Sequence, residues 1–404
     1  MKKILIISFD MIRSGELPVS YSIASLLTSL KFNANEKVNI VHWSFNVSDI
    51  NLKQKIQEKL NKDGLNNYDI IAISVFIWSE VIVKKLLVNK HFINFKGIII
   101  LGGKQIIGNE NQLMTDFPLC KIFVIGYGES CIKEAIFNSN TLKFLYGNCE
   151  NLDIPSPYLT NDIIVNENQK MIRMETKRGC PYSCSFCAHK DLKDNKIYNF
   201  PFERIKSEID FFKQKSVKKI NIIDPTFNVG DKYLGILEYF IQNKVNSQIS
   251  LQVRFENIEG ENGKQFIELC SKLNVVLEFG VQSLIKEECA IIERKNDITN
   301  IKKVVNILNK KDINYEVSLI YGLPRQTILT LKETINQLES INCEKIILYP
   351  LMLIKGTKLY DDRSFWKLKE KYHENNIPLV VESDSFSESD WNDMRDIAKK
   401  YKNR

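Results

Sequence analysis

Three cysteines near the middle of the chain have a spacing that predicts a specific chemistry. Cys180, Cys184 and Cys187 are separated by three and by two residues, which suits three thiolates around one cubane 4Fe–4S cluster. No fourth protein ligand lies nearby in the sequence, and His189 is better explained as a surface or hydrogen-bonding histidine. Three protein ligands leave one iron open. Such an iron can chelate the amine and carboxylate of S-adenosylmethionine (SAM) and donate one electron into its C–S bond.

A structural zinc site is the main alternative for these cysteines. Structural zinc usually has four ligands, commonly from paired Cys-x-x-Cys units, and a second pair is missing here. The total of nine cysteines is odd, which argues against a disulfide framework and for a reducing compartment. The other six are interpreted as isolated buried thiols, at positions 120, 131, 149, 270, 289 and 343.

The cysteines follow the first of six predicted strands in residues 171–362. Amphipathic stretches such as Phe202–Phe212 and Ile301–Leu308 separate these strands. This alternation predicts a partial (β/α)6 barrel, whose chemistry lies at the carboxyl ends of the strands. The polar residues 363–404 are predicted to form a short helical tail. The strand candidates are residues 172–176, 218–223, 249–254, 275–279, 315–320 and 345–349.

Residues 1–146 show a separate alternation of strands and helices. Lys3–Phe9 is a continuous apolar run, which is typical of a strand buried on both faces. Five such candidates predict a Rossmann-like, doubly wound parallel sheet. Residues 147–170, which include Ile154-Pro-Ser-Pro157, are predicted to be a linker. The predicted fold class is therefore α/β, with a Rossmann-like domain before the barrel.

The cysteine segment resembles the signature of the radical SAM superfamily. Arg178-Gly precedes a Cys-x-x-x-Cys-x-aromatic-Cys motif that begins at Cys180. The resemblance implies that the three cysteines bind the 4Fe–4S cluster and that Phe186 lies against the adenine of SAM. It covers about residues 151–362, and the order of the motifs that follow supports it.

The later strand ends resemble the SAM-binding positions of that superfamily. Asp224 closes the second barrel strand, where the family binds the methionine amine, although the family's Gly-Gly-Glu is absent here. Arg254 ends the next strand and is a candidate contact for the ribose or the methionine carboxylate, with a solvent-facing charge as the alternative. Gln282 and Ser283, and then Gly322, mark the next two strand ends. A glycine there would let the backbone approach a nucleoside closely, and a plain turn would explain it equally well.

The first segment resembles the cobalamin-binding domain that precedes the barrel in a class B-like subgroup. The cofactor contacts that the resemblance implies are Asp10, Ser74, Gly102, Gly103 and Gly126. The loop after the first strand often has the pattern Asp-x-His-x-x-Gly, in which the histidine binds the lower face of cobalt. Ile12 occupies that position here and excludes imidazole ligation from it. Two interpretations stay open: cobalamin binds without this ligand, or the fold is retained as a scaffold.

The resemblance implies an enzyme that cleaves SAM reductively and abstracts hydrogen from a peptide or small-molecule substrate. With cobalamin, the expected outcome is C-methylation. Without it, the outcome is epimerisation, cyclisation or rearrangement, for which Cys270, Cys289 and Cys343 are the available thiol hydrogen donors, although each is better explained as a core residue. A non-enzymatic cobalamin- or metal-binding sensor is a further alternative, but it leaves the open iron unexplained. An electron donor such as a flavodoxin or ferredoxin is also implied.

The charge and hydropathy patterns argue against nucleic-acid and membrane partners. The 56 basic and 49 acidic residues give a net charge of +7, and the basic residues are scattered. No apolar run approaches the roughly 20 residues that span a bilayer, and the first apolar run is too short for a signal peptide. We therefore expect a cytoplasmic protein.

Overall fold

The computed structural model describes residues 2–32, 38–138, 141–189, 195–373 and 376–402. The chain forms two compact units. The first comprises Met1–Val165 with His373–Ile377, and the second comprises Asn166–Tyr372 with Pro378–Arg404. The division after Val165 falls within the stretch that the sequence predicts to be a linker.

The first unit is built on a six-stranded sheet in which all neighbouring strands are parallel. Its strands are β1 (Lys2–Asp10), β2 (Val38–Asn46), β3 (Ile70–Ser74), β4 (Ile98–Gly102), β5 (Ile122–Gly126) and β6 (Lys143–Gly147). The spatial order is β2-β1-β3-β4-β5-β6, so the chain reverses its direction of winding between β1 and β3. In such sheets, ligands bind beside the carboxyl ends of the strands at this reversal.

Two apolar clusters cover the two faces of this sheet. On β1, Leu5, Ile7 and Phe9 belong to one cluster and Ile4 and Ile6 to the other. Because successive side chains of a strand point to opposite faces, a continuous apolar run is what helices on both faces require. The helices are α1 (Tyr21–Lys31), α2 (Leu52–Asp63), α3 (Glu80–Leu87), α4 (Lys90–Ile93), α5 (Glu110–Asp116) and α6 (Ile132–Phe137).

The second unit contains another six-stranded parallel sheet, ordered β14-β13-β12-β11-β10-β7. Its strands, together with a short antiparallel pair β8–β9, are β7 (Ile172–Met174), β8 (Lys177–Arg178), β9 (Tyr198–Asn199), β10 (Lys219–Ile222), β11 (Gln248–Val253), β12 (Val275–Gln282), β13 (Asn314–Tyr321) and β14 (Ile346–Pro350). Strands that are consecutive along the chain are neighbours in the sheet, as in a βα barrel. Since β7 and β14 are its two edges, the barrel is partial.

Helices separate the strands of the second sheet and bury one face each. In α11, the buried residues Ile301, Val304, Val305 and Leu308 recur every three or four positions, which places them on one side. The helices are α7 (Phe202–Gln214), α8 (Tyr233–Gln242), α9 (Gly260–Cys270), α10 (Lys286–Ile291), α11 (Ile298–Lys310), α12 (Ile328–Ser340) and α13 (Lys358–Asp361). The predicted α/β fold class, a Rossmann-like sheet followed by a partial (β/α)6 barrel, is confirmed.

Part of the stretch predicted as linker extends the first unit. The sequence predicts no strand at the position of β6, the sixth strand. An edge strand with mostly half-buried side chains lacks a strong apolar signal. Further along, Tyr158 is buried and its ring centroid lies 5.8 Å from that of Tyr21 in α1. Asp162 accepts a 2.6 Å hydrogen bond from Thr28 of the same helix. These contacts fix residues 158–162 on the first unit.

The short helical tail predicted for residues 363–404 also contains two strands. Helix α14 (Glu388–Lys402) is present, but a hairpin of β15 (Lys369–Tyr372) and β16 (Pro378–Glu382) precedes it. The charged, exposed side chains of β15 resemble a surface helix in sequence, whereas main-chain pairing decides the conformation. Within the tail, Val380 donates a 3.0 Å main-chain hydrogen bond to Leu351, which follows the edge strand β14. In the described part of the chain, no helix has the length and apolar content needed to cross a membrane.

Trp391 connects α14 to the barrel, and replacing it should destabilise the second unit. Its side chain is 2% exposed and its ring centroid lies 5.8 Å from that of Tyr321 at the end of β13. Trp391→Ala should reduce the free energy of unfolding by about 3–5 kcal/mol because it leaves a cavity. Urea unfolding of the full chain measures this. Asp393→Ala, at an exposed position of the same helix, is the control and should change it by less than about 0.5 kcal/mol. Equal stability of the two variants would contradict the role of Trp391.

Candidate functional site

A tight turn leads into the cysteine loop of the second unit. Strand β8 pairs with β9, and Gly179 follows β8 with a φ of +81°. A Cβ at this position would lie 2.1 Å from the carbonyl oxygen of Lys196. Only glycine combines this backbone conformation with this close approach, and Cys180 comes directly after it.

The three cysteines border one cavity of about 220 Å³ at the carboxyl ends of the barrel strands. Six of the residues predicted from the sequence line it together: Cys180, Cys184, Phe186, Cys187, Arg254 and Gln282. His189 also lines it, as does Gly280, the glycine of the strand end that includes Gln282. Tyr182 and Arg294, for which the sequence predicts no role, line it too. Asp224, Ser283 and Gly322 are not among its lining residues.

The three thiols line one cavity but do not converge on a common metal position. Cys180 and Cys184 are buried and Cys187 is half-buried. Burial raises the pKa of Cys187 to about 11, so its thiolate needs a metal to replace the proton. Among the described residues, no three His, Cys, Asp or Glu side chains converge closely enough to hold a single metal ion. A multi-iron cluster, whose ligands are farther apart than those of one zinc ion, fits the three sulfur atoms better.

Arg254 is held rigidly at the edge of this cavity. Its Nε donates to Glu256 at 2.7 Å, and its guanidinium lies 3.6 Å from the ring centroid of Tyr182. Tyr182 in turn donates to Asn257 at 2.8 Å. The main chain of Arg254 exchanges two hydrogen bonds with the Asn228 amide, at 2.9 and 3.0 Å. A guanidinium fixed in this way loses little conformational entropy when an anion binds.

Arg294 is a candidate that sequence reasoning missed. It is 8% exposed, its Nη1 lies 3.9 Å from the sulfur of Cys184, and its Nη2 donates to the Gly280 carbonyl. Its Nε has no hydrogen-bond partner among the described residues. Burial and, to a smaller extent, the charge of Arg254 lower the pKa of Arg294. Two buried guanidinium groups that repel each other favour an anion in the cavity. No motif surrounds Arg294, so only its position in space shows its importance.

Asp224 is fully buried beneath the cysteine loop instead of lining the cavity. It accepts hydrogen bonds from the main-chain N–H groups of Thr176 and Lys177, at 2.7 and 3.2 Å, and from the Thr176 hydroxyl. Burial raises the pKa of Asp224 to about 6. Lys177 is also buried, and its Nζ donates to the carbonyl groups of Phe227 and Val229. These bonds join the loop after β10 to the segment that precedes Cys180.

Ser283 and Gly322 take part in the packing behind the cavity wall. The Ser283 hydroxyl donates to the buried carboxyl of Glu288 at 2.6 Å. Gln326 donates to the same carboxyl at 3.2 Å, and its Oε1 accepts from the Gly322 N–H at 2.7 Å. A Cβ on Gly322 would lie 3.2 Å from the Val380 carbonyl and 3.5 Å from Trp391. The tail therefore explains this glycine without a nucleoside.

In the first unit, Asp10 ends a buried chain of polar groups. The Ser8 hydroxyl donates to Asp10 Oδ2 at 2.7 Å and lies 2.9 Å from Nε2 of His42. Since that hydroxyl has one proton, His42 must donate to Ser8 through Nε2–H. Burial lowers the pKa of His42 to about 4, so it is neutral. In the loop after β1, Ile12 exchanges main-chain hydrogen bonds with the Asn46 side chain at 3.3 and 3.0 Å.

The other predicted residues of the first unit lie at the carboxyl ends of its strands. The Ser74 hydroxyl is buried without a hydrogen-bond partner among the described residues. A Cβ on Gly103 would lie 2.5 Å from the Val75 carbonyl, and one on Gly126 would lie 2.5 Å from the Gly147 carbonyl. The turns themselves therefore require these two glycines. A Cβ on Gly102 would lie 3.4 Å from the Cβ of Val124, an ordinary van der Waals contact, so local packing does not require glycine at this position.

Residues 174–338 match the model of the Radical SAM superfamily. The cobalamin-dependent radical SAM methyltransferase TokK of Streptomyces tokunonensis is 24% identical over 334 residues, which are 74% of this chain and 49% of that protein. A carbapenam carboxylate methyltransferase of Streptantibioticus cattleyicolor is 22% identical over 73% of this chain and 48% of its own. The chain thus spans about half the length of the curated relatives it matches.

One solved structure has the same fold over nearly the whole chain. The radical SAM methyltransferase TsrM from Kitasatospora setae, solved with tryptophan and a SAM analogue, superposes with a TM-score of 0.71. The alignment covers 99% of this chain and 89% of TsrM, with 10% sequence identity.

The half-buried His42 should make the stability of the protein depend on pH. Its pKa of about 4 in the folded state is below the ordinary value of 6.5, so the unfolded chain binds the proton more tightly. Stability should therefore fall as the pH decreases from about 6.5 to 4, and His42 should contribute about 1–2 kcal/mol of that loss at pH 5. His42→Gln keeps a donor for Ser8 but does not titrate. Urea unfolding at pH 7.5 and pH 5 should show a smaller loss in this variant, and an equal loss would refute the assignment.

Proposed function

We propose that this chain is an enzyme that cleaves SAM reductively and methylates a carbon atom of a small-molecule or peptide substrate. It carries a radical SAM domain at residues 174–338. The observation that carries the proposal is the cavity bordered by Cys180, Cys184 and Cys187 together with two buried arginines. Three thiolates provide an incomplete ligand set for a 4Fe–4S cluster, and the arginines provide the counter-charge for an anionic ligand. When bound, the cluster supplies the electron that splits SAM into methionine and a 5′-deoxyadenosyl radical.

The residues around the cavity are suited to bind and orient SAM. Arg254 and Arg294 can donate charge-assisted hydrogen bonds to its carboxylate, and the free Nε–H of Arg294 is one such donor. Gly280 presents only backbone to the cavity, and Gln282, with a φ of +72°, presents an amide. Phe186 adds an apolar surface for the adenine. Buried side chains on several sides limit the access of water to a reactive radical.

The first unit supports cobalamin as the source of the methyl group. Ser74 offers an unsatisfied buried hydroxyl, and Gly102 pairs with it at the edge of the sheet where this fold binds ligands. TokK is described as cobalamin-dependent, and it is 24% identical to this chain over 74% of the chain's length. Cobalamin, when bound, supplies a methyl group to the substrate carbon. Ile12 has a hydrocarbon side chain and could not act as a ligand of cobalt.

Radical epimerisation or rearrangement is the second candidate function, and the thiols argue against epimerisation. That reaction needs a hydrogen donor at the active site. Among the residues that the structure describes, none of Cys270, Cys289 and Cys343 lines the cavity. Cys270 and Cys343 are buried, and the Cys289 thiol donates a hydrogen bond to the Ser283 carbonyl at 3.1 Å. In either case an external one-electron donor, such as a flavodoxin or ferredoxin, would reduce the cluster.

The cysteine triplet should be necessary for an iron–sulfur chromophore. Protein purified without oxygen and reconstituted with iron and sulfide should show a broad 4Fe–4S absorption band. Replacing Cys180, Cys184 and Cys187 together by alanine should abolish it, because no other described cysteine borders the cavity. Replacing Cys270, Cys289 and Cys343 together is the matched control and should retain it. A stoichiometric zinc content in place of iron would contradict the proposal.

Cobalamin binding can be tested separately in the first unit. The native chain, incubated with hydroxocobalamin, should retain a corrin spectrum through gel filtration. Gly102→Leu should lose it, because this position accepts a Cβ against Val124, whereas a larger side chain would occupy the strand end next to Ser74. The triple alanine variant of Cys180, Cys184 and Cys187 should keep it, since those residues belong to the other unit. A native chain that retains no corrin would exclude cobalamin-dependent methylation and favour the second candidate.

A further inference from the structure

Lys177 is a buried positive charge three residues before the first cysteine. Its side chain is 3% exposed, and its Nζ donates to the carbonyl groups of Phe227 and Val229. The same Nζ lies 5.6 Å from the ring centroid of Phe227. Burial lowers the pKa of Lys177 to about 8, and the charges of Asp224, Asp231 and Cys180 oppose this shift. The Thr226 hydroxyl, one residue before Phe227, lies 3.9 Å from the sulfur of Cys180, so the carbonyl groups that hold the ammonium belong to the loop that contacts this cysteine.

Asp224 supplies the opposite charge in the same region. Its carboxyl is fully buried and is held by the main chain of Thr176 and Lys177 and by the Thr176 hydroxyl. Neither side chain lines the cavity, so neither is placed to contact SAM or a substrate. Taking a lysine and an aspartate out of water is unfavourable. Hydrogen bonds to backbone groups compensate for it, and they also fix where each charge lies relative to the cysteine loop.

Fixed charges near an iron–sulfur cluster change its reduction potential. The reduced cluster carries one more negative charge than the oxidised cluster, so a nearby cation stabilises the reduced form and a nearby anion destabilises it. The effect is large in a buried site because little solvent screens it. Arg254 and Arg294 also lie near the thiols, but they border the cavity, where a bound anion would contact them. Lys177 and Asp224 do not border the cavity, so a ligand bound there would not contact either charge.

We propose that Lys177 and Asp224 form a charge pair that sets the reduction potential of the cluster, with Lys177 raising it and Asp224 lowering it. The proposal rests on the proposed function, since it requires a cluster on Cys180, Cys184 and Cys187. It gives both residues a positioning role, because they act through the cysteine loop and not on the substrate. The balance of the two charges decides how easily an external donor can reduce the enzyme.

A redox titration monitored by electron paramagnetic resonance tests the pair in reconstituted full-length protein without SAM. Lys177→Met removes the charge, and Lys177→Gln also removes it but can still donate hydrogen bonds to the Phe227 and Val229 carbonyls. Both should move the midpoint to a more negative potential. At the native midpoint, the ratio of reduced to oxidised cluster should fall on the order of tenfold. Asp224→Asn retains the acceptor atom for the backbone and should shift the midpoint in the opposite direction.

Two controls, one of which preserves the charge of Lys177, separate electrostatics from a loss of structure. Lys177→Arg should leave the midpoint close to the native one. Lys232→Met removes another lysine that donates to a main-chain carbonyl, that of Phe200 at 3.3 Å, and should also leave it unchanged. Shifts of the same sign in the Lys177→Gln and Asp224→Asn proteins would show a structural effect and overturn the proposal, as would unchanged midpoints with full iron content. If the native protein forms no 4Fe–4S cluster, the proposed function itself fails, which is a distinguishable result.

Discussion

The carboxyl group of Asp224 is the point on which the second unit's site depends. It lies at the end of β10 and accepts hydrogen bonds from the chain that enters the cysteine loop, two residues after β7 ends. A parallel sheet can align β7 and β10 through its own ladder only as far as Met174. Beyond that residue, the Asp224 carboxylate accepts the hydrogen bonds of the Thr176 and Lys177 main-chain N–H groups, which a neighbouring strand would otherwise accept. The turn at Gly179 then leads directly into Cys180, so the start of the cysteine loop depends on this buried acid.

The distribution of charge around the cavity is consistent with a site that receives anions. Each buried cation is restrained in a different way: Arg254 by Glu256 and Tyr182, Arg294 by the Gly280 carbonyl, and Lys177 by the Phe227 and Val229 carbonyls. Neighbouring carboxylates neutralise only some of this positive charge. The cysteine thiolates, once they bind a metal, contribute further negative charge. The site is therefore most stable when thiolates and a bound anion are both present, which links the folding of this region to its ligands.

Sequence patterns predicted the architecture because both sheets are parallel and buried, so their strands are apolar runs that alternate with amphipathic helices. They predicted the cysteines because their spacing is local. They failed where the deciding contact is distant in the chain. Arg294 acquires its importance only through the fold, which brings it to Cys184, 110 positions earlier. For Gly322, a nucleoside contact and a plain turn explain the sequence equally well, and the structure places Val380 and Trp391 of the tail nearest to it. Likewise, Ser283 has the expected location but turns its hydroxyl toward Glu288.

The contact of Trp391 and Val380 with the end of β13 has a consequence for the order of events during synthesis. The sheet of the first unit is complete once Gly147 has been made, whereas the second unit lacks part of its core until Trp391 emerges. Domains generally fold in sequence as the ribosome releases them. The cysteines leave the ribosome about 200 residues before Trp391. We therefore expect an interval in which the first unit is folded while the cysteine loop is still accessible to the cellular machinery that delivers iron and sulfide.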